Sequence, residues 1–514
     1  MKIIIPASGV GQRFMDAGYE ETKPLIPVLG DKRIMNYVFD MFDVENDEFI
    51  IITSEYTYNE MDEWLEKQEG LNYTHILTRG PKLGPVGAIT STYPEVEQHI
   101  HDDEPVIVSY CDFGMDWDYK DFLTFCKDTK ADGVISSYTG YHPHLPPEEN
   151  VYARSRCVSD AYGNHGVLNV QEKYKSNDKF NEQWSSGLYY FKSMKTMKNA
   201  FEGLIEADDR LNGEFYVSLA YNYFHRSDSI LSYDKVNKFY QFGTPKDFEY
   251  VKGKLNDLDK MANIKRDVEV KNTVFLSAGR GERFMGLGFD QPKPFLPIKN
   301  NDILHESMET FNRGGEFRFV GATDHSLFWQ LSPYWKNTKL IPANKIGAAF
   351  SYNAGCNDLK GSTLIAPCDL VANHYENSFR AMINADADVV IFTTTPTKYQ
   401  RDNVNSFAWV TGDEETDEVL TIDIKKPNDR VAITDQMVLI GSFYVKSNEL
   451  LIEAIREIID QNLQTNGEYY LDNAFKYLLD NKDELGIKVA YSELENYFSL
   501  GTPDEYKENK YWLE

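Results

Sequence analysis

The sequence predicts an α/β protein of two tandem domains, each with a mainly parallel mixed sheet. The first observation is a repeat: Gly9 and Lys23 of an early segment return 270 residues later as Gly279 and Lys293. The second is that short apolar runs alternate with segments of helical period in both halves of the chain. The third is length, because 514 residues exceed the size of one hydrophobic core.

The predicted elements follow in chain order. Each half opens with a short apolar run that reads as a buried strand leading into a glycine turn. Helical periodicity marks segments 56–68 and 449–461, and a charged, helix-like stretch at 253–266 places the boundary between the copies within 252–271. We therefore predict domains at 1–262 and 270–514. The predicted strands are 2–6, 49–53, 105–109, 133–137 and 187–191 in the first half, and 273–277, 317–321, 362–366, 388–393 and 438–445 in the second.

Composition restricts the class of partner. The net charge of −28 argues against a nucleic acid or an anionic membrane as the main partner. No stretch approaches the roughly 18 apolar residues of a membrane span, and the first residues are too short an apolar run for a signal peptide. Five scattered cysteines without CxxC spacing indicate reduced thiols. We expect a soluble, cytoplasmic protein, and a homo-oligomer is compatible with this composition.

The repeated segment is a glycine loop followed by cations. Closely spaced glycines, Gly9 and Gly11, let backbone amides approach a phosphate, and Arg13 and Lys23 follow them. The loop lacks the third glycine of a dinucleotide fingerprint and the Gly-Lys-Ser/Thr end of a P-loop. A surface turn with solvated cations is the competing interpretation, and two occurrences in register make it much weaker.

This pattern, GxGxRF followed by KPL.P after a first strand, resembles the nucleotidyltransferase superfamily that joins a nucleoside triphosphate to a sugar phosphate. The likeness is greatest to its capsular-biosynthesis branch, and it occurs once per half. The resemblance implies a Rossmann-like (GT-A-like) domain twice, and an enzyme that releases pyrophosphate while making a nucleotide-activated sugar for cell-surface polysaccharide or a related glycan. Its partners would be a nucleoside triphosphate and a phosphorylated sugar or similar small acceptor.

The resemblance also implies nucleotide-binding residues. A second glycine-rich loop, 82–88, is matched by 345–349, and in the family this loop lies against the base and ribose. Arginine and lysine of the first loop would neutralise the α-phosphate and the departing pyrophosphate; these are Arg13, Lys23, Arg283 and Lys293. The nucleotide-binding residues implied are Ala7, Ser8, Gly9, Gly11, Gly84, Pro85, Ala278, Gly279, Gly281, Gly347 and Ala348.

Each half also has a strand that ends in an aspartate, Asp112 and Asp369. A carboxylate at this place suits Mg²⁺, which takes carboxylate and phosphate oxygens, whereas a helix N-cap is the competing interpretation. Position within the motif series favours the metal. Many family members carry a second acid two residues before a late glycine, but this chain has Gln241 and Ser499 there. Asp116 and Asp118 are alternatives in the first half alone.

The acceptor side is implied by a Glu-Lys-Pro-like motif. Gln171-Glu172-Lys173 matches it in the first half and Lys425-Lys426-Pro427 in the second. On this pairing Lys173 and Lys426 hold the acceptor phosphate, and Lys425 replaces Glu172. The remaining substrate-binding residues implied are Gly187, Glu214, Gly441 and Glu468.

Several alternatives stay open. The acceptor could be a small non-sugar phosphate served by a cytidylyltransferase, or one domain could be catalytic and the other regulatory or binding. A metal-dependent glycosyltransferase ranks lower, because its DxD is frequent by chance among 81 acidic residues and it needs no GxGxRF…KP pair. The sequence determines neither the base, the acceptor, the second metal ligand nor the activity of each half. It favours two active sites that differ in their acceptors.

Overall fold

The computed structural model describes the chain except residues 81–82, 146–152, 161, 263–267, 280, 344–345, 373–375 and 495, and it describes only the backbone of 262, 376–378 and 398–399. The chain divides into two compact units, Met1–Asn256 and Asp257–Glu514. The division falls inside a long helix, Pro245–Ala262, and the domain bounds of 1–262 and 270–514 stay a prediction.

The first unit alternates strands and helices. Its strands are β1 (Lys2–Pro6), β2 (Pro27–Leu29), β3 (Lys32–Arg33), β4 (Glu48–Ser54), β5 (Tyr73–Thr78), β6 (Val106–Ser109), β7 (Phe113–Trp117), β8 (Gly133–Tyr138), β9 (Arg154–Ser159), β10 (His165–Gln171), β11 (Gln183–Phe191), β12 (Ile230–Tyr233) and β13 (Val236–Gln241). Its helices are α1 (Gln12–Asp16), α2 (Ile34–Phe39), α3 (Tyr58–Leu65), α4 (Gly84–Thr90), α5 (Tyr93–Val96), α6 (Tyr119–Thr129), α7 (Met194–Glu206), α8 (Val217–Ala220) and α9 (Pro245–Ala262), which crosses the division.

The second unit has the same kind of alternation. Its strands are β14 (Asn272–Ser277), β15 (Pro297–Ile298), β16 (Asn301–Asp302), β17 (Glu316–Ala322), β18 (Thr338–Ile341), β19 (Thr363–Pro367), β20 (Leu370–Ala372), β21 (Val389–Thr394), β22 (Ala408–Gly412), β23 (Val419–Ile424), β24 (Met437–Val445), β25 (Val489–Glu493) and β26 (Tyr497–Ser499). Its helices are α10 (Ile303–Phe311), α11 (Ser326–Leu331), α12 (Ala348–Cys356), α13 (Glu376–Asn384), α14 (Lys398–Asp402), α15 (Asn448–Asp460), α16 (Leu471–Asp480), α17 (Lys482–Leu485) and α18 (Pro503–Leu513).

The main sheet of each unit has nine strands, and seven of them follow the same order in both units. In the first unit the order is β5-β4-β1-β6-β11-β8-β12, and in the second it is β18-β17-β14-β19-β24-β21-β25. Strands β5, β4, β1 and β6 pair in parallel, whereas β11 runs antiparallel to both β6 and β8. Strand β24 does the same between β19 and β21. The α/β class with a mixed sheet is therefore confirmed.

Burial explains why the apolar runs form the centre of each sheet. Ile3, Ile4 and Ile5 of β1 are fully buried because successive side chains contact the opposite faces of the sheet. The centre of β14 is buried in the same manner, with Val274 and Phe275 in separate core clusters. These strands end at a common edge, where the functional loops emerge.

The predicted helix at 56–68 is shorter, because only Tyr58–Leu65 is helical. All five cysteines are free thiols. Among the described residues, no helix is long and apolar enough to cross a bilayer.

Candidate active site

The first glycine loop connects the buried strand β1 to the short helix α1. Gly11 has φ of 67°, and a Cβ there would lie 2.9 Å from the Cβ of Lys23. Only glycine avoids both the left-handed strain and this contact. In the second unit Gly281 has φ of 66°, and a Cβ there would make an ordinary contact with the Cβ of Lys293 at 3.6 Å. The glycine therefore lets the loop pack against the lysine.

The two predicted lysines each contact the predicted aspartate of their own unit. Lys23 begins a 3-10 turn, and its Nζ lies 2.8 Å from Oδ2 of Asp112 and 3.1 Å from the carbonyl oxygen of Gly243. Nζ of Lys293 lies 2.5 Å from Oδ2 of Asp369. Burial opposes the charge of Lys293, but the adjacent Asp369 carboxylate holds the pKa of this ammonium above its ordinary value. The structure thus joins motifs that are about 80 residues apart in sequence.

The second glycine loop packs against an Asn-Gly-Glu motif, residues 212–214, which recurs at 466–468. The amide of Phe215 donates to the carbonyl of Leu83, and that of Val86 donates to the carbonyl of Phe215. Gly84 has φ of 80°, and a Cβ there would lie 2.8 Å from the Cβ of Glu214. Ile346, Gly347 and Tyr469 repeat this pairing. Lys82 and Lys345 of these loops lie outside the described residues.

Asparagine and glycine of that motif form a tight turn. Asn212 and Gly213 both have positive φ, as do Asn466 and Gly467, which is the geometry of a type I′ hairpin turn. Reciprocal backbone hydrogen bonds join Leu211 and Glu214 around it. The turn aims Glu214 at the loop, where its carboxylate accepts a hydrogen bond of 2.7 Å from the Tyr216 hydroxyl.

Two cavities meet beside Asp112 in the first unit. The larger, about 600 Å³, is lined by the first loop (Ser8, Gly9, Gly11), Lys23 and the second loop (Gly84, Pro85), with Glu214. The smaller, about 220 Å³, is lined by Arg13, Glu172, Lys173 and Gly187, among others. Tyr110, Asp112 and Tyr216 line both cavities. Ala7 is buried beneath the loop. The predicted nucleotide and acceptor residues therefore lie in adjoining spaces.

Glu172 lies at the inner end of the smaller cavity. Its carboxylate accepts a hydrogen bond from the hydroxyl of Ser218. Burial raises the pKa of Glu172 to about 7, although Ser218 and Lys173 both favour the ionised form. Lys173 has φ of 50° and its Nζ lies 5.4 Å from the centre of the Tyr216 ring.

Strand register corrects one pairing of the sequence analysis. Trp184 of β11 pairs with Arg154, which pairs with Gln171 of β10. In the second unit Val438 pairs with Trp409, which pairs with Asp423.

Because Trp184 and Val438 hold the same place in their strands, Asp423 corresponds to Gln171, and Lys425 corresponds to Lys173. Lys425 shares the positive φ, 64°, and its Nζ lies 5.1 Å from the centre of the Tyr470 ring. Lys426, which the sequence pairs with Lys173, is exposed and adjacent. That pairing is wrong by one residue, because two consecutive lysines leave the alignment of so short a motif ambiguous.

The other predicted residues of the second unit lie in matching places. Arg283 is exposed beside the loop, like Arg13. Ala278 and Gly279 follow β14 and begin the first glycine loop of the second unit, and Ala348 begins α12 after Gly347. Gly441 has φ of 79°, as Gly187 has 99°, within a register shift of the central strand. Burial raises the pKa of the Tyr470 phenol, and the charge of Glu468 and a hydrogen bond with its carboxylate raise that pKa further.

Residues that could hold a cation are few. Asp112 and Asp369 are carboxylates at the shared edge, and Gln241 lies beside Gly243 and Asp112 in place of a second acid. Asp118 caps α6 by accepting from the amide of Asp121, and Asp116 accepts from the Tyr240 hydroxyl. In the part of the chain that the structure describes, no three acidic, histidine or cysteine residues group as a ready-made cation site.

Sequence reasoning missed several residues of the cavities. Tyr110 and Tyr216 line both spaces, and Ser186 presents a buried hydroxyl without a protein partner to the smaller one. Tyr216 follows the Asn-Gly-Glu motif and could have been found there. Tyr110 and Ser186 carry no local signal, because tyrosine and serine are frequent in buried strands.

Two cavities adjoin at the carboxyl edge of a mixed α/β sheet, and one of them is lined by a glycine loop and a lysine–aspartate pair. This arrangement is typical of a nucleotide-binding domain. A profile of the family described as nucleotidyl transferase matches residues 2–255. Through its first unit the chain therefore belongs to the nucleotidyl transferase family, a family of enzymes.

Individual relatives are more distant. CTP:phosphoglutamine cytidylyltransferase of Campylobacter jejuni is 25% identical over 131 residues, which cover 23% of this chain and 51% of that protein. The chain thus spans about half the length of this curated relative.

Two solved structures each cover about half of this chain. A nucleoside-diphosphate-sugar pyrophosphorylase from Vibrio cholerae RC9 is 17% identical with a TM-score of 0.39, and covers 47% of this chain and all of its own. A UDP-glucose pyrophosphorylase complexed with UDP-glucose is 16% identical with a TM-score of 0.41, and covers 50% of this chain and 98% of its own.

Proposed function

We propose that this chain is a tandem nucleotidyltransferase that transfers a nucleoside monophosphate from a triphosphate to a sugar phosphate and releases pyrophosphate. The observation that carries the proposal is the meeting of the two cavities at Asp112, where a phosphate from each side would lie beside Lys23. Membership of the first unit in the nucleotidyl transferase family supports it. The matching strand order supports a duplicated second unit.

In this reaction an oxygen of the acceptor phosphate attacks the α-phosphorus in line. The bond from that phosphorus to the bridging oxygen breaks, and pyrophosphate leaves with the electron pair. The attacking oxygen is already anionic, so the protein needs only to position and neutralise. Amides of the loop at 8–11 would face the triphosphate, Arg13 and Lys23 would neutralise it, and Lys173 would hold the acceptor phosphate.

The residues present fit Mg²⁺ held by one carboxylate together with substrate phosphates. Asp112 would hold the ion in the first unit and Asp369 in the second, and the ion would neutralise phosphate charge. In the second unit Gly279, Gly281, Arg283, Lys293 and Lys425 would take the remaining roles.

A second candidate is a cytidylyltransferase for a non-sugar phosphate, which the Campylobacter relative favours by its own activity. One experiment separates the candidates: a matrix of nucleoside triphosphates against phosphorylated sugars and phosphorylated amino compounds, with pyrophosphate release as the readout. Release with a sugar phosphate supports the first proposal. Release with CTP and amino-compound phosphates alone supports the second, and no release with any pair contradicts both.

A further inference from the structure

The smaller cavity of the first unit has a polar floor whose counterpart in the second unit is apolar. Strands β11 and β24 make the comparison possible, because each pairs with both neighbours in the same register. Ser185 pairs with Ser137, and Leu439 pairs with Thr393 at the same point beyond a register shift. The corresponding positions are Glu172 and Ile424, Ser185 and Leu439, Ser186 and Ile440, and Tyr189 and Phe443.

Each polar floor residue of the first unit lines the cavity. Ser185 donates to the Tyr189 hydroxyl at 2.9 Å, whereas the buried Ser186 hydroxyl has no protein partner. A buried hydroxyl without a hydrogen-bond partner lowers the stability of the protein unless a ligand supplies the missing hydrogen bond. This floor is therefore built to hydrogen-bond a hydroxylated body.

In the second unit the side chains at these positions pack in the hydrophobic core. Leu439 and Phe443 are buried there, and Ile424 packs against the same cluster. Phe443 stacks on Phe475 with ring centres 4.0 Å apart. Such side chains cannot satisfy hydroxyl groups, so a polyhydroxylated body placed on them would lose hydrogen bonds to water without replacement.

The carboxylate near Lys173 in the first unit and the carboxylate near Lys425 in the second unit come from different elements. In the first unit Glu172 supplies it from the end of β10, and Ser218 of α8 faces it. In the second unit Ile424 replaces the glutamate, while Asp472, at the position of Ser218, supplies a carboxylate from the first turn of α16. Burial raises the pKa of Asp472 to about 6, and the charge of Lys425 opposes that rise. The charge that balances the lysine is retained while the floor becomes apolar.

From these contacts we infer that the second unit takes an acceptor phosphate with a less hydroxylated, more apolar body than the acceptor of the first unit. This inference rests on the proposed function and assigns Ile424, Leu439, Ile440 and Phe443 as residues that determine specificity. Asp472 is a positioning residue that acts through Lys425.

A matched pair of probes tests it: glucose 1-phosphate and cyclohexyl phosphate, a ring of the same size without hydroxyls. Lys23→Ala isolates the second unit and Lys293→Ala isolates the first, with pyrophosphate release as the readout. We expect the ratio of kcat/KM for cyclohexyl phosphate over glucose 1-phosphate to be about 10- to 100-fold higher in the second unit. Equal ratios in the two units would overturn the inference.

Exchange variants locate the cause. Ile424→Glu with Asp472→Ser should lower this ratio at least about tenfold in the second unit, whereas Asp480→Ser, at the exposed end of the same helix, should leave it unchanged. Ser186→Ile should raise the ratio in the first unit, and it provides the test if the double variant does not fold. Unchanged ratios in the folded variants would contradict the assignment.

A binding measurement distinguishes failure of this inference from failure of the proposed function. If the wild-type protein releases no pyrophosphate with any pair, calorimetric titration with the same two phosphates reads the pockets directly. Weaker binding of cyclohexyl phosphate in the Ile424→Glu, Asp472→Ser variant supports the inference, and unaltered binding overturns it.

Discussion

Lys425 shows how a shared backbone conformation matches a residue of one unit to its counterpart in the other. It shares with Lys173 a left-handed backbone and a position over a tyrosine ring, whereas Lys426 is exposed beside it. Its Nζ donates to the carbonyl of Ser406 at 2.8 Å, and burial lowers the pKa of this ammonium. A shielded cation of this kind is suited to an incoming phosphate.

Lys425→Ala should therefore lower turnover of the second unit by about 10²-fold, the usual scale for one charged contact in a transition state. Lys426→Ala should stay within about twofold of the parent. Both are measured as pyrophosphate release on the Lys23→Ala background. The reverse order of effects would restore the pairing of Lys173 with Lys426.

Glu172 gives a pH dependence at the same scale. Its pKa is about 7 in the folded protein, against 4.5 for an exposed glutamate. The folded state thus binds the proton more tightly, and the stability that this group contributes falls as pH rises from about 4.5 to about 7, by roughly 3 kcal/mol in total.

Glu172→Gln should remove that slope. Relative to the wild type, the variant should gain free energy of unfolding between pH 5 and pH 8 in urea titrations. A constant difference across this range would contradict the raised pKa. Glu63→Gln, at an exposed carboxylate on α3, is the matched control for a change of one glutamate to its amide.

At the scale of elements, the second glycine loop and the Asn-Gly-Glu hairpin are joined by backbone hydrogen bonds in each half of the chain. A Cβ at Gly347 would lie 2.3 Å from the carbonyl oxygen of Tyr469, and φ there is 123°. The backbone of one element thus occupies the space that a side chain of the other would need. This close approach explains why the two motifs occur together in both halves.

Gly347→Ala should destabilise the second unit by roughly 2–4 kcal/mol, because steric overlap with backbone adds to conformational strain. Gly486→Ala is the control, since Gly486 has φ of 63° but open space around its Cβ position, and it should cost about 1 kcal/mol. Thermal unfolding of the two variants measures the difference. Equal losses would mean that the loop moves away at no cost.

Prediction of the elements succeeded where burial alone decides them. The apolar runs at 2–6 and 273–277 are central strands, because a continuous apolar run must be covered on both faces. The reversal of β11 was not predictable from its own residues, since a buried strand has the same composition in either direction. Its direction depends on the path of the chain through β9 and β10.

At the scale of the whole molecule, the chain repeats an order of seven strands in two units, and the proposal gives these units different acceptors. Both units have the glycine loop and the lysine–aspartate contact. We therefore expect two active sites that fail separately.

Lys23→Ala and Lys293→Ala should each remove the turnover of one unit by about 10²–10³-fold and leave the other unit's acceptor in use. The double variant should be inactive with every acceptor. Pyrophosphate release with a panel of acceptors measures this. If one single variant removes all activity, the other unit is not a catalyst, and the regulatory alternative is correct.

The sequence by itself determined the fold class, the repeat and many of the residues that line the two cavities of the first unit. Glycine spacing, buried apolar runs and charged residues in fixed order are local properties, and two copies in register exclude chance. Only the tertiary structure decided which lysine of the second unit corresponds to Lys173 and which carboxylate lies near it. Glu172 follows strand β10 and Asp472 lies on helix α16, so strand register places the lysine and helix packing places the second carboxylate. Register depends on pairing between segments far apart in sequence, so no local pattern records it.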